Sequence, residues 1–348
     1  YNMAKRIVAI YDRGIDKNLM QGFDVLEKYG YELTLVEKTV NEDELAYQNS
    51  MLSVEVNGPD GTPINEEVFQ HLDDAEIIIT HFAPVSRRMI EAAKNLKIIA
   101  TLRTGMENIN MEAAKERGIK VINAPGRAAV AVADFTVAAM LCEIRNIART
   151  DEDIKTGGWT KKYPNRTYSD NMCNLKVGLV GFGDIGRKIA TRLKGFGTTI
   201  LAYDPYCTKE SIEAFGCVPV SLDELLEQAD FVSLHVRLSP QTQNMFGAAE
   251  FAKMKPTAIF VNAARAGLVD EAAMIDALEQ KKIGGAVLDV FREEPLPVDH
   301  PLRKLKNVTL SAHLAGTDIG TFSGSIKIVA DNLEQYFSGG ELKNVVNH

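Results

Sequence analysis

Three residues in the second half of this sequence are of the types that proton and anion chemistry needs. They are Arg265 in FVNAARAGLVDE, Glu294 in GAVLDVFREEPLP and His313 in NVTLSAHLAG. Each follows a β-branched, apolar run of strand length, and function in an open α/β sheet gathers at the carboxyl ends of strands. A histidine can give a proton to a carbonyl oxygen as a hydride arrives at its carbon. A carboxylate on the other ring nitrogen holds the tautomer and favours the imidazolium. An arginine takes a carboxylate bidentately and polarises the neighbouring carbonyl, with a geometry that lysine lacks. Singly, the three could be an interdomain ion pair, an exposed loop carboxylate and a core histidine. Separations of 29 and 19 residues leave it to the fold to bring them together.

A second constellation supplies the missing reactant. LKVGLVGFGDIGRKIATRL carries Gly181, Gly183 and Gly186 in GxGxxG spacing between a strand and a helix. That spacing alone fits any tight strand-to-helix turn. Here a further strand, TTILAYDPY, ends at Asp204, 18 residues beyond Gly186, which is the context a dinucleotide site requires. Gly181 permits the turn, Gly183 lets a pyrophosphate approach the backbone, and Gly186 lets helix and strand close up. The phosphates would sit on the helix amino end, among Gly181, Phe182, Gly183, Asp184, Ile185 and Gly186. Asp204, beside Tyr203, would accept hydrogen bonds from the ribose hydroxyls and repel a 2′-phosphate, so NAD is expected rather than NADP.

These residues need a scaffold, and the chain has length for two domains at 348 residues. A net charge of −8 with no basic block argues against nucleic acid or an anionic membrane surface as partner. The apolar runs are of strand length, too short to span a bilayer. Cys142, Cys173, Cys207 and Cys217 show no CxxC spacing, so reduced thiols, no metal and a cytoplasmic location are expected. Short β-branched runs alternate with amphipathic segments, the pattern of parallel α/β architecture. Strands are expected at 6–11, 32–36, 77–80, 97–101 and 120–123, then at 176–180, 199–203, 231–234, 258–261, 285–290 and 308–310. Residues 41–62 read as irregular, with NGPDGTP as a turn cluster. A long apolar helix is expected over 128–150, and a last helix over 318–337. The order implies a Rossmann NAD-binding domain (125–314) inserted in a split first domain (1–124 and 315–348).

VGLVGFGDIGRKIA, YDPY, FVSLHVRLSPQT, FVNAARAGLVDE, GAVLDVFREEPLP and NVTLSAHLAG, in this order through nearly the whole chain, resemble the D-isomer-specific 2-hydroxyacid dehydrogenase family. The resemblance implies a flavodoxin-like substrate domain beside the Rossmann domain, usually in a homodimer. It implies that Arg265, Glu294 and His313 are catalytic, with His313 also at the cofactor. Asp289 falls where the family contacts the nicotinamide amide, His235 and Val236 on the loop along the cofactor, and Ala263 near the nicotinamide ribose. The expected activity is NAD-dependent interconversion of a D-2-hydroxy acid and its 2-oxo acid, such as 3-phosphoglycerate or another anionic sugar acid. The alternatives are a glyoxylate or hydroxypyruvate reductase and an NAD(H)-sensing scaffold of the corepressor kind. By the same resemblance, the short stretch after the last helix leaves no room in this sequence for an appended regulatory domain.

The substrate loop departs from the family pattern. It is ATLRTGMENIN, in which backbone amides near Thr104, Gly105 and Met106 would hold the substrate carboxylate alongside Arg265. Arg103 stands where a glycine is common, and Arg237 replaces a usual proline. Either arginine serves a surface ion pair or reaches a phosphate or second carboxylate on the substrate.

Overall fold

The computed structural model describes residues 5–39, 50, 53–54 and 57–347. The chain divides into two compact units, Tyr1–Arg127 with Asp318–His348, and Ala128–Thr317. Among the described residues no helix is long and apolar enough to cross a membrane.

Among its described residues the first unit is built on five parallel strands: β1 (Lys5–Tyr11), β2 (Tyr31–Glu37), β3 (Ala75–Thr80), β4 (Ile98–Thr101) and β5 (Lys120–Ile122), in the order β2-β1-β3-β4-β5. This is the flavodoxin-like order. The strands are apolar almost throughout because both faces are covered. Ile7, Ala9, Ile77 and Ile79 pack toward the helix Ile319–Phe337 and the 3₁₀ segment Gln21–Tyr29. Val8, Ile10, Ile78 and Ile99 face the other way, onto helices Arg87–Ala92 and Met111–Glu116. Ser86 and Asn110 cap those helices through their side chains. The split chain closes where Val345 bridges Ile122 of β5.

The second unit holds seven strands, all parallel, in the order β12-β11-β10-β9-β6-β7-β8. They are β6 (Lys176–Val180), β7 (Thr199–Tyr203), β8 (Val218–Pro219), β9 (Phe231–Leu234), β10 (Ile259–Asn262), β11 (Gly285–Leu288) and β12 (Val308–Leu310). Chain order reverses between β6 and β9, so the crevice at their carboxyl ends is the switch point where ligands bind such sheets. Val177 and Leu179 pack under helices Ala129–Ile144 and Asp184–Lys194. Val180, Val232, Phe260 and Leu288 pack under the helices on the opposite face.

Two expectations are corrected. Residues 57–61, read as a turn, are helical. Thr62 Oγ1 donates back to the Gly58 carbonyl, and Asp60 accepts from Arg87 N–H (2.7 Å) and Asn110 Nδ2 (2.5 Å). Tertiary anchorage at the ends of two other helices thus overrides the local turn residues. The remainder of the 41–62 reading lies largely outside the described residues. The single helix expected over 128–150 is two, Ala129–Ile144 and Ile147–Lys155. They are parted at Asn146, which adopts φ 56° and donates through Nδ2 to Asn165 Oδ1 (2.7 Å). Asparagine tolerates this left-handed geometry, and Asn165 returns a hydrogen bond to the Glu143 carbonyl that closes the first helix.

Candidate active site

The three chemically suggestive residues of the second half follow three neighbouring strands. Arg265 comes after β10, Glu294 after β11 and His313 after β12. Because these strands are adjacent and parallel, all three residues leave the same edge of the sheet. His313 Nδ1 lies 2.8 Å from Glu294 Oε2. Glu294 Oε1 accepts from the Phe291 N–H at 2.9 Å, so the carboxylate is held before it meets the ring. With Nδ1 bonded to a carboxylate, Nε2 is the nitrogen left for proton exchange, and His313 is half exposed. Its backbone lies at φ 54°, a conformation that something must hold in place.

Asp289 does the holding. It is wholly buried just beyond β11, and its Oδ1 accepts from Ser311 Oγ (2.6 Å) and Leu314 N–H (2.9 Å). Its Oδ2 accepts from Ala315 N–H at 2.9 Å. Three donors that bracket His313 thus converge on one carboxylate. A carboxylate has about four acceptor positions, so one on Oδ2 remains for a further donor such as an amide.

Arg265 is presented by another buried clamp. Asn262, the last residue of β10, donates to the Arg265 carbonyl and accepts from Ala264 N–H, both at 3.0 Å. This closes the turn through Ala263 and leaves the Arg265 side chain exposed. Its described hydrogen bond is one from Nη1 to the Ala264 carbonyl, which leaves the rest of the fork for an anion.

The glycine turn fits a dinucleotide. Gly181 has φ 98°, and a Cβ there would stand 2.6 Å from the His235 carbonyl oxygen. A Cβ on Gly186 would stand 2.4 Å from the Gly181 carbonyl oxygen. Above Gly183, by contrast, a Cβ would meet nothing within 4 Å, and no side chain caps the helix Asp184–Lys194 that starts there. Tight packing beneath and an open helix amino end above are what a pyrophosphate needs. Ile185 turns into the helix core, and Asp184 pairs with Lys188 at 2.7 Å. Tyr203 accepts from Gly181 N–H. Asp204 accepts from Phe182 N–H and Tyr206 N–H, both at 2.8 Å, which fixes its carboxylate beside the turn. His235 Nε2 is 2.8 Å from Ser233 Oγ, and burial pushes its pKa down to about 3, so the ring is neutral. Val236 packs against the same turn.

The substrate loop belongs to the first unit. Thr104, Gly105 and Met106 follow β4, pinned by Asn123, which donates to the Thr104 carbonyl at 2.7 Å. Arg103 is nearly buried, its guanidinium 4.0 Å above the Phe82 ring and 3.7 Å from Glu107. Arg237 is exposed, on the loop after β9.

Sequence reading missed the pair beneath this loop. Asp12 follows β1, His81 follows β3, and both are buried. His81 Nδ1 lies 3.1 Å from both Asp12 oxygens, which also accept from Gly14, Ile15 and Phe82 N–H. Burial works against the Asp12 carboxylate, but the His81 ring and these N–H groups outweigh it and hold its pKa low. Burial, with Arg127 and Arg103 nearby, lowers the His81 pKa against the opposing pull of Asp12. The signal was available, since both residues sit at strand carboxyl ends like the three in the second half.

Comparison with known proteins gives the family. Residues 137–315 match the family model described as D-isomer specific 2-hydroxyacid dehydrogenase, NAD binding domain. The chain is 39% identical over 284 residues to a D-3-phosphoglycerate dehydrogenase of Methanocaldococcus jannaschii, covering 81% of this chain but 53% of that one. The match thus spans only about half of that relative's length. It is 37% identical over 287 residues to a glyoxylate reductase of Korarchaeum cryptofilum, covering 82% of this chain and 86% of that one. The solved D-lactate dehydrogenase of Lactobacillus jensenii with NAD+ superposes with a TM-score of 0.78 at 25% identity, covering 98% of this chain and all of that one. The chain belongs to the D-isomer specific 2-hydroxyacid dehydrogenase family, and its second unit carries that family's NAD-binding domain.

Proposed function

We propose that the protein is an NAD-dependent dehydrogenase that interconverts a D-2-hydroxy acid and its 2-oxo acid. The observation that carries this reading is the 2.8 Å contact between His313 Nδ1 and Glu294, on strands adjacent to the one bearing Arg265. When bound, the nicotinamide supplies or accepts the hydride. His313 gives its Nε2 proton to the carbonyl oxygen during reduction and takes it back during oxidation. Glu294 stabilises the imidazolium form and fixes ring orientation. Arg265 binds the substrate carboxylate and polarises the adjacent carbonyl. Asp204 accepts from the adenosine ribose hydroxyls, while Gly181 through Gly186 receive the pyrophosphate. Tyr203, His235, Val236 and Ala263 line the dinucleotide with the backbone of Phe182 and Ile185, and Asp289 offers its remaining acceptor to the nicotinamide amide.

The substrate is an acid with a second anionic group, of the 3-phosphoglycerate type. Arg103 beside the substrate loop supports this, as does similarity to a D-3-phosphoglycerate dehydrogenase. A second reading, reduction of glyoxylate or hydroxypyruvate, is favoured by similarity to a glyoxylate reductase over most of both chains. The protein works in the cytoplasm as a homodimer. Exposed apolar side chains at Val130, Ile147, Ile154 and Trp159 support the dimer, and size-exclusion chromatography with light scattering tests it.

NADH oxidation across a panel of 2-oxo acids separates the readings. Strong preference for phosphohydroxypyruvate over hydroxypyruvate supports the anionic substrate, and the reverse preference supports the reductase. Absence of turnover on every 2-oxo acid would overturn the dehydrogenase assignment.

A further inference from the structure

The corner of the first unit around Arg103 has one rigid charge and one loose one. Arg103 retains 12% of its side-chain exposure and sits over Phe82, its Cζ 4.0 Å from the ring centroid. Phe82 is held in turn, because its N–H donates to Asp12 Oδ2 at 3.1 Å within the buried cluster of Asp12 and His81. A guanidinium held this way has little freedom left to lose when it binds an anion. Its acidic neighbour differs. Glu107 is 51% exposed, and its carboxylate approaches Arg103 through a single contact of 3.7 Å, well short of a bidentate pair.

The place where that carboxylate rests is informative. A Cβ on Gly105 would stand 2.3 Å and 2.5 Å from the two Glu107 oxygens. The carboxylate therefore lies directly on the Gly105 backbone, in the middle of the substrate loop. Glycine at 105 opens that space, and Glu107 fills it.

We propose that Glu107 is an internal counter-anion that occupies the Arg103 subsite until the phosphate or second carboxylate on a substrate tail replaces it. This rests on the dehydrogenase reading above and names the group that selects its substrate. An acid with an uncharged tail has nothing to offer in return for Glu107. The subsite thus discriminates against neutral-tailed acids as well as attracting anionic ones.

The test uses the full chain and two readouts. Inorganic phosphate is titrated calorimetrically into wild-type protein, Glu107→Gln, Arg103→Gln and the double variant, at one low ionic strength. KM values are measured in parallel for phosphohydroxypyruvate and hydroxypyruvate. Removing the internal carboxylate should tighten phosphate about five-fold, the upper range for a partly exposed ion pair. It should lower KM for phosphohydroxypyruvate by a similar factor and lower that for hydroxypyruvate by less. Arg103→Gln should weaken phosphate, and in its background Glu107→Gln should do nothing. Equal effects of Glu107→Gln in both backgrounds would reduce the result to general electrostatics and overturn the proposal. So would unchanged phosphate affinity, no measurable phosphate binding in either wild type or Glu107→Gln, or a rise in KM for both acids. Failure of every 2-oxo acid to turn over would remove the dehydrogenase reading instead, while the phosphate titrations would still report on Arg103 and Glu107.

Discussion

Asp289→Asn separates two roles for one buried carboxylate. Its oxygens accept from Ser311 Oγ, Leu314 N–H and Ala315 N–H, at 2.6 to 2.9 Å, with no solvent exposure. Asparagine keeps the shape but has one acceptor oxygen. If that oxygen stays with Ser311 and Leu314, the new NH₂ faces the Ala315 N–H, donor against donor. A hydrogen bond to a charged group contributes about 1.5–3 kcal/mol, and a buried unpaired donor costs about 1–3 kcal/mol. Allowing for partial relaxation, the turn should lose roughly 2–4 kcal/mol. The unit spans Ala128–Thr317, and at about 2–4 °C per kcal/mol for that size Tm should fall by roughly 4–16 °C. His313 stands inside the turn at φ 54°, so it relaxes when the clamp weakens. A displacement of about 1 Å at a catalytic group costs on the order of 100-fold in rate. The assays are kcat with a responsive 2-oxo acid, NADH Kd by fluorescence titration, and Tm by calorimetry. The expected result is a kcat loss of about 100-fold at saturating NADH with a lower Tm, and a rise in NADH Kd of no more than about ten-fold for the lost amide contact. If Kd rises more than about ten-fold while kcat at saturating NADH and Tm hold, Asp289 is chiefly a cofactor ligand, and the reasoning from the three donors is wrong.

Further expectations address other parts of the site. His313→Ala should lower kcat by about 10²–10⁴-fold with NADH binding retained, and full activity would remove its acid–base role. Asp204→Ala should raise kcat/KM with NADPH relative to NADH, since the negative charge beside the glycine turn is lost; an unchanged ratio would end the assignment of NAD selectivity to this residue. His235 bears on acid stability. Its pKa falls from an ordinary value near 6.5 to about 3 in the folded chain because burial disfavours the charged ring. Between those values the unfolded chain binds the proton and the folded chain does not. Stability therefore falls as pH drops through that window, by up to about 1.4 kcal/mol per pH unit. His235→Gln should flatten that slope in urea titrations between pH 4 and 6, and an unaltered slope would place the acid sensitivity elsewhere.

Much of the scaffold was legible because buried parallel strands advertise themselves. IVAI in β1, EIIIT in β3 and AIFVN through β10 are near-continuous apolar runs of strand length, rich in β-branched residues, as strands buried on both faces are. Helix starts are encoded locally for a different reason. Ser86, Asn110 and Asp270 are side-chain caps, and capping is decided within four residues. NGPDGTP failed for the complementary reason. Its glycines and proline favour a turn locally, but Asp60 bonds to Arg87 and Asn110, which lie far along the chain. Asn146 breaks the long helix through Asn165 in the same non-local way.

The site divides along the same line. Arg265, Glu294 and His313 could be picked out individually, since each follows a strand and carries suitable chemistry. Their proximity follows from the sheet order β12-β11-β10, which is tertiary information. Asp289 shows the limit more sharply. From sequence it reads as a cofactor contact, yet its bonding is fixed by a turn some two dozen residues later, closing over it from the next strand. Asn262 plays the equivalent part under Arg265, and Asp12 plays it under Phe82 and Arg103. In each case a buried side chain at the end of one strand accepts from or donates to the loop that presents a functional residue. The exposed member of such a pair has chemistry that can be recognised in isolation. The buried member is a common residue type whose role exists only once its donors have converged on it. Asp12 and His81 went unnoticed although they obey the strand-end rule already applied to β10, β11 and β12. Applied to both sheets alike, the rule would have marked Asp12, His81 and Arg103 together, and the loose carboxylate of Glu107 would then have been the next residue to question.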